Sequence, residues 1–168
     1  MRCDLFAVVA IEGKAVKNAS IVVYSHLRWG TVPPRSQQLL VRISATRRVL
    51  FFEETVRVHA PDDDSIELRY PHPDLIVARP LLHGPAKRFD VARLAPIAKR
   101  LLRWQDFESH VAWLYTPLAL PLARALSPEV VVYDRTVQPS AFDQAAPPLW
   151  RLQTADVLFA RELLERVS

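Results

Sequence analysis

The sequence predicts a single α/β domain with a Rossmann-like, mostly parallel β-sheet and helices on both faces. Its length of 168 residues fits one domain, since domains contain roughly 50 to 250 residues. Short runs of β-branched and aromatic residues recur along the chain, and continuous apolar runs are typical of strands buried on both faces. Helical patterns separate several of these runs, and strands that alternate with helices indicate βαβ units.

Seven apolar runs are predicted to be strands, at residues 21–24, 49–52, 66–70, 75–78, 111–115, 130–133 and 157–159. Two of them follow each other between residues 54 and 80 without room for a helix, which predicts a hairpin or an irregular excursion. The other buried-type runs are mostly reached through helical segments. We therefore expect four of them to be parallel neighbours in one sheet, namely 21–24, 49–52, 111–115 and 130–133.

Helical patterns occupy residues 36–46, 90–104, 118–126 and 149–155. In the first, Leu39, Leu40 and Ile43 share one face. Pro96 lies inside the second pattern, so that helix is predicted either to begin there or to kink, because proline disrupts a helix interior. Residues 1–18 are not assigned to an element.

The composition argues against several classes of protein. There are 22 Lys+Arg and 18 Asp+Glu, a formal charge of +4, but the cations form scattered pairs and not the basic, aromatic-interleaved stripe of a nucleic-acid binder. Cys3 is the only cysteine, which suits a reducing compartment. The apolar run at residues 5–11 has no cleavage signature, and no apolar run approaches the roughly 20 residues that a transmembrane helix needs. We expect a cytoplasmic protein without a transmembrane segment.

Metal and cofactor chemistry has no signature in the sequence. The five histidines and Cys3 lack metal-ligand spacing, and no G-x-S-x-G nucleophile elbow is present. Gly13, Gly30 and Gly84 cannot build a dinucleotide fingerprint or a phosphate loop. We predict neither a metal nor a cofactor.

The candidate site comes from the polar residues that follow the predicted strands. In open α/β sheets, ligands bind outside the carboxyl ends of the strands, so these residues should meet at one rim. They are Ser25, His26, Arg28 and Trp29 after the first strand, Glu53 and Glu54 after the next, then Tyr115 with Thr116, and finally Asp134 with Arg135. We predict that His26, Arg28, Tyr115 and Asp134 share one cavity there.

Each of these groups also has a structural alternative. Residues 25–29 could form an ordinary loop with a stacked tryptophan, and Asp134 could cap a turn. Glu53 and Glu54 could be solvated, or one could pair with an arginine. Thr116 and Pro117 match a helix N-cap followed by proline at the first helical position.

Several segments resemble a known family. Residues 21–29 read Ile-Val-Val-Tyr-Ser-His-Leu-Arg-Trp, and residues 34–40 read Pro-Arg-Ser-Gln-Gln-Leu-Leu. Together they resemble the opening of the N-terminal, acceptor-side domain of bacterial glycosyltransferases of the GT-B fold, with GT4-like character. Further similar segments lie at 49–54, 113–121, 131–134, 140–142 and 155–159. The resemblance spans roughly residues 20–160 and implies half of a GT-B fold.

The chain also departs from the family pattern. Gly30 stands where the family has an acidic residue, and residues 135–138 read Arg-Thr-Val-Gln where it has a segment such as Cys-Met-Asp-Glu. Residues 160–162 read Ala-Arg-Glu in place of Thr-Gly-Gly. The sequence ends at Ser168, where a GT-B enzyme crosses to a second Rossmann domain. These departures favour a non-catalytic relative, whereas the retained segments favour an enzyme domain.

The resemblance implies a division of labour between two domains. GT-B enzymes bind the nucleotide-sugar mainly on the C-terminal domain, bind a sugar or lipid-linked acceptor on N-terminal loops, and require no metal. By this analogy Arg28, Trp29, Arg35, Tyr115 and Thr116 bind substrate, while Asp134 and His26 are catalytic, with Asp134 as the general base. The alternative is a non-catalytic Rossmann-like binding or interaction module.

The same resemblance predicts a partner for this surface. A GT-B domain turns one surface toward its second half, so we expect a homodimer or a partner chain. Leu163, Leu164 and Val167 form an apolar stripe near the end of the sequence, and exposed apolar patches mark interfaces. The alternative is that this stripe folds back on its own sheet.

Overall fold

The computed structural model describes residues 8–11, 19–59 and 63–134. Eight strands are described: β1 (Val8–Ile11), β2 (Ser20–Tyr24), β3 (Val49–Phe52), β4 (Val56–Val58), β5 (Ser65–His72), β6 (Leu75–His83), β7 (His110–Leu114) and β8 (Val130–Asp134). The helices are α1 (Pro34–Ser44), α2 (Val91–Trp104) and α3 (Leu120–Ala125), with 3-10 turns at Trp29–Thr31 and Pro117–Ala119. The elements predicted at 149–155 and 157–159, and the apolar stripe at 163–167, lie outside the described residues.

The described strands form one mostly parallel sheet with the order β1-β8-β7-β2-β3-β6-β4. The central strands β8, β7, β2 and β3 are parallel neighbours, so the predicted parallel arrangement of these segments is confirmed. From β2 the chain steps to β3 on one side, and β7 later pairs with the opposite side of β2. The strand order therefore reverses between β2 and β7, and such a switch point opens a crevice at the carboxyl ends of the strands.

Helices cover both faces of the sheet, as predicted. Strand residues alternate between the faces, so Val22 and Tyr24 join one apolar layer while Ile21 and Val23 join the other. The first layer contains the apolar face of α2 and residues of α3, and the second contains Leu40 and Ile43 of α1. Because crossovers between parallel strands are right-handed, connections that proceed in opposite directions from β2 place their helices on opposite faces.

The segment between residues 54 and 80 contains the predicted hairpin. β5 pairs antiparallel with β6, and the register shifts between Arg69 and His72. β4 pairs parallel with the far end of β6, a contact that the sequence pattern did not indicate because β4 has only three residues.

Other boundaries differ from the prediction in ways that packing explains. α2 begins at Val91, with Asp90 as its N-cap, and Pro96 lies inside it, so a helix start at Pro96 is wrong. The pattern at 118–126 divides into a 3-10 turn and α3. The unassigned N-terminal region contributes β1, which pairs antiparallel with β8 at the sheet edge. Within the three described ranges, no helix is long and apolar enough to cross a membrane.

Candidate functional site

The backbone brings the predicted site segments together at the switch point. The Tyr115 N–H donates to the Tyr24 carbonyl at 2.9 Å, and the Ser25 N–H donates to the Phe52 carbonyl at 3.0 Å. These bonds extend the sheet beyond the ends of β7 and β2. The segment after β2 therefore lies between those that follow β3 and β7.

The loop of residues 25–29 is tightly hydrogen-bonded. The Ser25 hydroxyl accepts the Leu27 N–H at 2.9 Å. The Arg28 carbonyl accepts the N–H groups of Thr31 at 2.8 Å and Val32 at 3.1 Å, and also the Thr31 hydroxyl at 2.9 Å. These bonds close the 3-10 turn and leave the Arg28 side chain exposed. The backbone of the loop is therefore fixed by hydrogen bonds, while the Arg28 side chain is exposed to solvent.

Trp29 is held on both sides of its backbone. Its N–H donates to Glu53 Oε1 at 2.8 Å, and its carbonyl accepts from Gln37 Nε2 at 2.6 Å. The half-buried indole packs edge-on with Phe51, with ring centroids 5.1 Å apart and planes at 72°. These contacts hold the Trp29 backbone and indole in one position.

Glu53 connects this loop to the β5–β6 hairpin. Its side chain is buried, and Oε2 accepts from Arg79 Nε at 2.8 Å while Arg69 Nη2 lies 3.9 Å away. Arg79 also reaches Glu67 at 3.4 Å. A buried carboxylate needs such pairing because desolvation is costly. Of the alternatives for this residue, arginine pairing is the one the structure contains, and it also positions Trp29. Glu54 pairs with Arg88 at 2.9 Å in a more exposed setting.

Tyr115 and Asp134 form a buried polar group at the rim. Burial, and secondarily the Asp134 charge, raise the pKa of Tyr115 far above its usual range, while a hydrogen bond with the Ser36 side chain opposes the shift. The phenol is therefore neutral at physiological pH. Asp134 is 3% exposed, is the last residue of β8, and is near enough for its charge to act on this phenol. The tyrosine ring meets Phe51 with centroids 6.4 Å apart, so Trp29 and Tyr115 share an aromatic neighbour.

The remaining predicted residues occupy varied positions. His26 is 9% exposed, and its Nδ1 has no hydrogen-bond partner in the described part of the chain. Arg28 makes no ion pair within that part, and Arg35 is exposed in the first turn of α1. Thr116 is buried, and its hydroxyl accepts the Leu118 N–H at 3.4 Å. Thr116 therefore has the capping role given above as its structural alternative.

The structure brings only some of these residues into contact. Trp29 and Tyr115 are linked through Phe51, the Asp134 charge acts on the Tyr115 phenol, and His26 and Arg28 belong to the loop that carries Trp29. A single cavity shared by His26, Arg28, Tyr115 and Asp134 stays a prediction. Arg135 lies outside the described residues.

A groove next to Trp29 was not predicted from the sequence. It has a volume of about 350 Å³, lies between α1 and the turn of the β5–β6 hairpin, and is lined in part by Trp29, Gln37, Gln38, Arg42 and His72. We call it the α1 groove. Gln38 and Arg42 are four residues apart and therefore neighbours on one helix face. The polar face of α1 was visible in the sequence, but its approach to the hairpin turn was not.

No cluster of three or more His, Cys, Asp or Glu residues that could hold a metal ion occurs in the described ranges. The polar chemistry found there consists of carboxylate, phenol, guanidinium, imidazole and amide groups. This set can bind hydroxyls and anions and can accept a proton from a bound hydroxyl.

Comparison with known proteins gives limited similarity. No family model matches the chain, and no curated protein matches it. Solved structures similar to it include an E. coli trehalose-6-phosphate protein bound with UDP-2-fluoro glucose (TM-score 0.44, 13% identity, 64% of this chain) and OtsA in its apo form (0.43, 12%, 65%). A third is a UDP-forming α,α-trehalose-phosphate synthase from Burkholderia xenovorans in complex with glucose-6-phosphate (0.42, 12%, 65%). The aligned region spans 30% of each of these three chains. Similarity at this level does not establish a shared function, since one fold hosts many functions.

Proposed function

We propose that this chain is the acceptor-binding domain of a GT-B glycosyltransferase with GT4-like character. Sugar transfer from a nucleotide-sugar would require completion of the cleft by a donor-binding domain. The observation that carries the proposal is the Trp29 loop, fixed by Glu53 and Gln37 at the switch point and adjacent to the buried Tyr115–Asp134 group. The resemblance of residues 21–40 to acceptor-side domains supports the same assignment.

The side chains of the loop and of α1 suit a sugar or lipid-linked acceptor. The Trp29 indole offers a rigid apolar surface for a sugar ring, and aromatic rings combine large contact area with specific geometry. Exposed Arg28 and Arg35 can make bidentate hydrogen bonds with a phosphate or carboxylate on the acceptor. His26, 9% exposed within this loop, is the second proposed catalytic residue.

Asp134 is the proposed general base. Deprotonation of the acceptor hydroxyl requires a carboxylate within hydrogen-bond reach of it. Tyr115, kept neutral by burial, adds no competing negative charge near the Asp134 carboxylate. The departing nucleoside diphosphate must be stabilised by preorganised cations or helix N-termini, which the second domain of a GT-B enzyme largely supplies. We therefore expect the purified chain alone not to transfer sugar.

A non-catalytic binding or interaction module is the second candidate. Gly30 and residues 135–138 depart from the family pattern, which favours loss of catalysis with retention of the fold. Both candidates predict ligand binding at the rim, and only the first predicts that a donor-binding domain restores transfer.

Ligand binding tests the acceptor assignment. We expect hexose phosphates added to the 15N-labelled chain to shift the Trp29 indole resonance saturably. Trp29→Leu should weaken binding about fivefold or more, because a stacked ring contributes on the order of 1 kcal/mol or more. The matched control is Trp104→Leu, which removes a 73% exposed indole elsewhere and should leave affinity unchanged. Absence of any sugar response at the rim would contradict the proposal.

Turnover separates the two candidates. The chain alone is assayed with a panel of nucleotide-sugars, and then together with the donor-binding domain of a GT-B glycosyltransferase. Transfer that requires the second domain and disappears in Asp134→Asn supports the enzyme domain. Rim binding without transfer in the completed assembly would favour the non-catalytic module.

A further inference from the structure

The α1 groove runs from the rim toward the opposite end of the sheet. Trp29, at its upper end, follows the carboxyl end of β2. His72, at the other end of the groove, pairs with Leu75 in the hairpin. Leu75 is aligned with Val49, the first residue of β3, so this end of the groove lies near the amino ends of the strands. Between these two residues, α1 runs from Pro34 at the rim to Ser44 toward the amino ends of the strands. A ligand lying in the groove would therefore continue from the acceptor region along the helix.

The groove has a positive lining. Arg42 is exposed and makes no ion pair with any residue in the described part of the chain. Among the same residues, no Asp or Glu lines the cavity. His72 adds an exposed imidazole at the far end. An unpaired guanidinium without neighbouring carboxylates favours an anionic ligand, and its planar donors fit carboxylate and phosphate alike.

The amide and indole groups that line the groove suit a ring that carries hydroxyl groups. Gln38 offers both an amide donor and an acceptor, and the Trp29 indole supplies an apolar contact surface. Gln37 holds Trp29 through its Nε2, and its carbonyl oxygen can still accept a hydrogen bond. The volume of about 350 Å³ falls within the usual range of small-molecule sites, roughly 300–1,000 Å³.

We propose that the α1 groove is a second subsite that binds a sugar unit carrying a carboxylate or phosphate, with Trp29 and Gln38 against the ring and Arg42 on the anionic group. The inference rests on the proposed function in one respect: it makes the acceptor an extended, anionic glycan whose reactive end lies at the rim. Binding in the groove itself does not depend on catalysis.

The test uses three probes with the 15N-labelled full chain: glucuronic acid, glucose 6-phosphate and neutral glucose. We expect saturable shifts of the Gln38 and Arg42 amides and of the Trp29 indole with at least one anionic probe. Comparison of the two anionic probes distinguishes carboxylate from phosphate recognition. Equal affinity for glucose, or no saturable shift of these resonances, would overturn the proposal.

Arg42→Gln is the decisive variant. Loss of a charge-assisted contact should weaken binding of the anionic probe about tenfold. Arg124→Gln, which removes an exposed arginine in the last turn of α3, is the matched control and should not change affinity. Unchanged affinity in Arg42→Gln would overturn the inference, and an unfolding curve for each variant confirms that the fold is retained.

The two proposals fail in distinguishable ways. Sugar binding that depends on Arg28 at the rim but is indifferent to Arg42 overturns only the groove subsite. Groove binding that depends on Arg42, combined with no transfer in the completed assembly, overturns the glycosyltransferase assignment and supports the subsite.

Discussion

Tyr24 and Tyr115 occupy similar places at the end of neighbouring strands but have different polar surroundings. The Tyr24 hydroxyl is buried without a hydrogen-bond partner among the described residues, and burial raises the pKa of Tyr24 far above its usual range. Tyr115 has the Ser36 hydroxyl and the Asp134 carboxylate nearby. An unsatisfied buried hydroxyl is costly, whereas a satisfied one contributes modestly to stability.

Replacement of each tyrosine by phenylalanine should therefore have opposite effects. Tyr24→Phe should leave the free energy of unfolding unchanged or raise it by up to about 1 kcal/mol, and Tyr115→Phe should lower it by about 1 kcal/mol. Urea unfolding of the two variants beside the parent chain measures both changes. A clear loss of stability in Tyr24→Phe would show that its hydroxyl has a partner.

At the scale of elements, the β5–β6 hairpin and the Trp29 loop are joined by one side chain. Glu53 directly follows β3. One of its carboxylate oxygens accepts a hydrogen bond from the Trp29 backbone, and the other accepts one from Arg79 of β6. The hairpin therefore does more than extend the sheet, because its arginine compensates the buried charge that fixes Trp29. A substitution in the hairpin that disturbs Arg79 should therefore also change the position of Trp29 at the rim.

Glu53→Gln tests this coupling. Removal of the charge leaves Arg79 only its longer contact with the more exposed Glu67, and breaking a buried pair costs about 3 kcal/mol of unfolding free energy. The matched control, Glu54→Gln, breaks the more exposed pair with Arg88 and should cost less than about 1 kcal/mol. Equal losses in the two variants would contradict the coupling. The Trp29 amide resonance should move in Glu53→Gln alone.

At the scale of the whole molecule, one buried histidine gives stability a dependence on pH. His110 is fully buried at the start of β7, and burial lowers the pKa of its imidazole, opposed by the Glu108 and Phe107 backbone and the Glu129 charge. The unfolded chain binds the proton more readily, near pH 6.5. Stability is therefore complete above about pH 6.5 and is lost as the pH falls through the lower folded-state pKa.

This dependence should appear in unfolding curves recorded between about pH 7.5 and 5.5. The parent chain should lose stability across this interval, and His110→Gln should show a smaller slope whatever its stability at pH 7.5. His59→Gln, at an exposed position, should retain the parent slope. If His110→Gln kept the same dependence of unfolding free energy on pH as the parent chain, other titrating groups would be responsible for that dependence.

The sequence predicted the central sheet well because its signals are local. Apolar runs such as residues 49–52 are continuous, and the helices between them show their own periodicity. The edge strands β1 and β4 were missed because a short strand is defined by its partner more than by its composition. The same holds for the site: the Trp29 loop was recognisable from its residues, but Glu53 and Arg79 meet only through the hairpin. The α1 groove, likewise, depends on the approach of a helix to a distant turn.

The edge pairing of β1 has a consequence for the order in which the molecule is assembled. Val8 is the register partner of Asp134, so β1 can pair with β8 only after all the strands and helices between them have been synthesised. Contacts between such distant segments form slowly, because the intervening chain must first be brought together. The inner strands β2 and β3 have no such delay. Among the described rim residues, the proposed base is therefore synthesised last. A nascent chain stalled before residue 134 would display the tryptophan loop without that carboxylate.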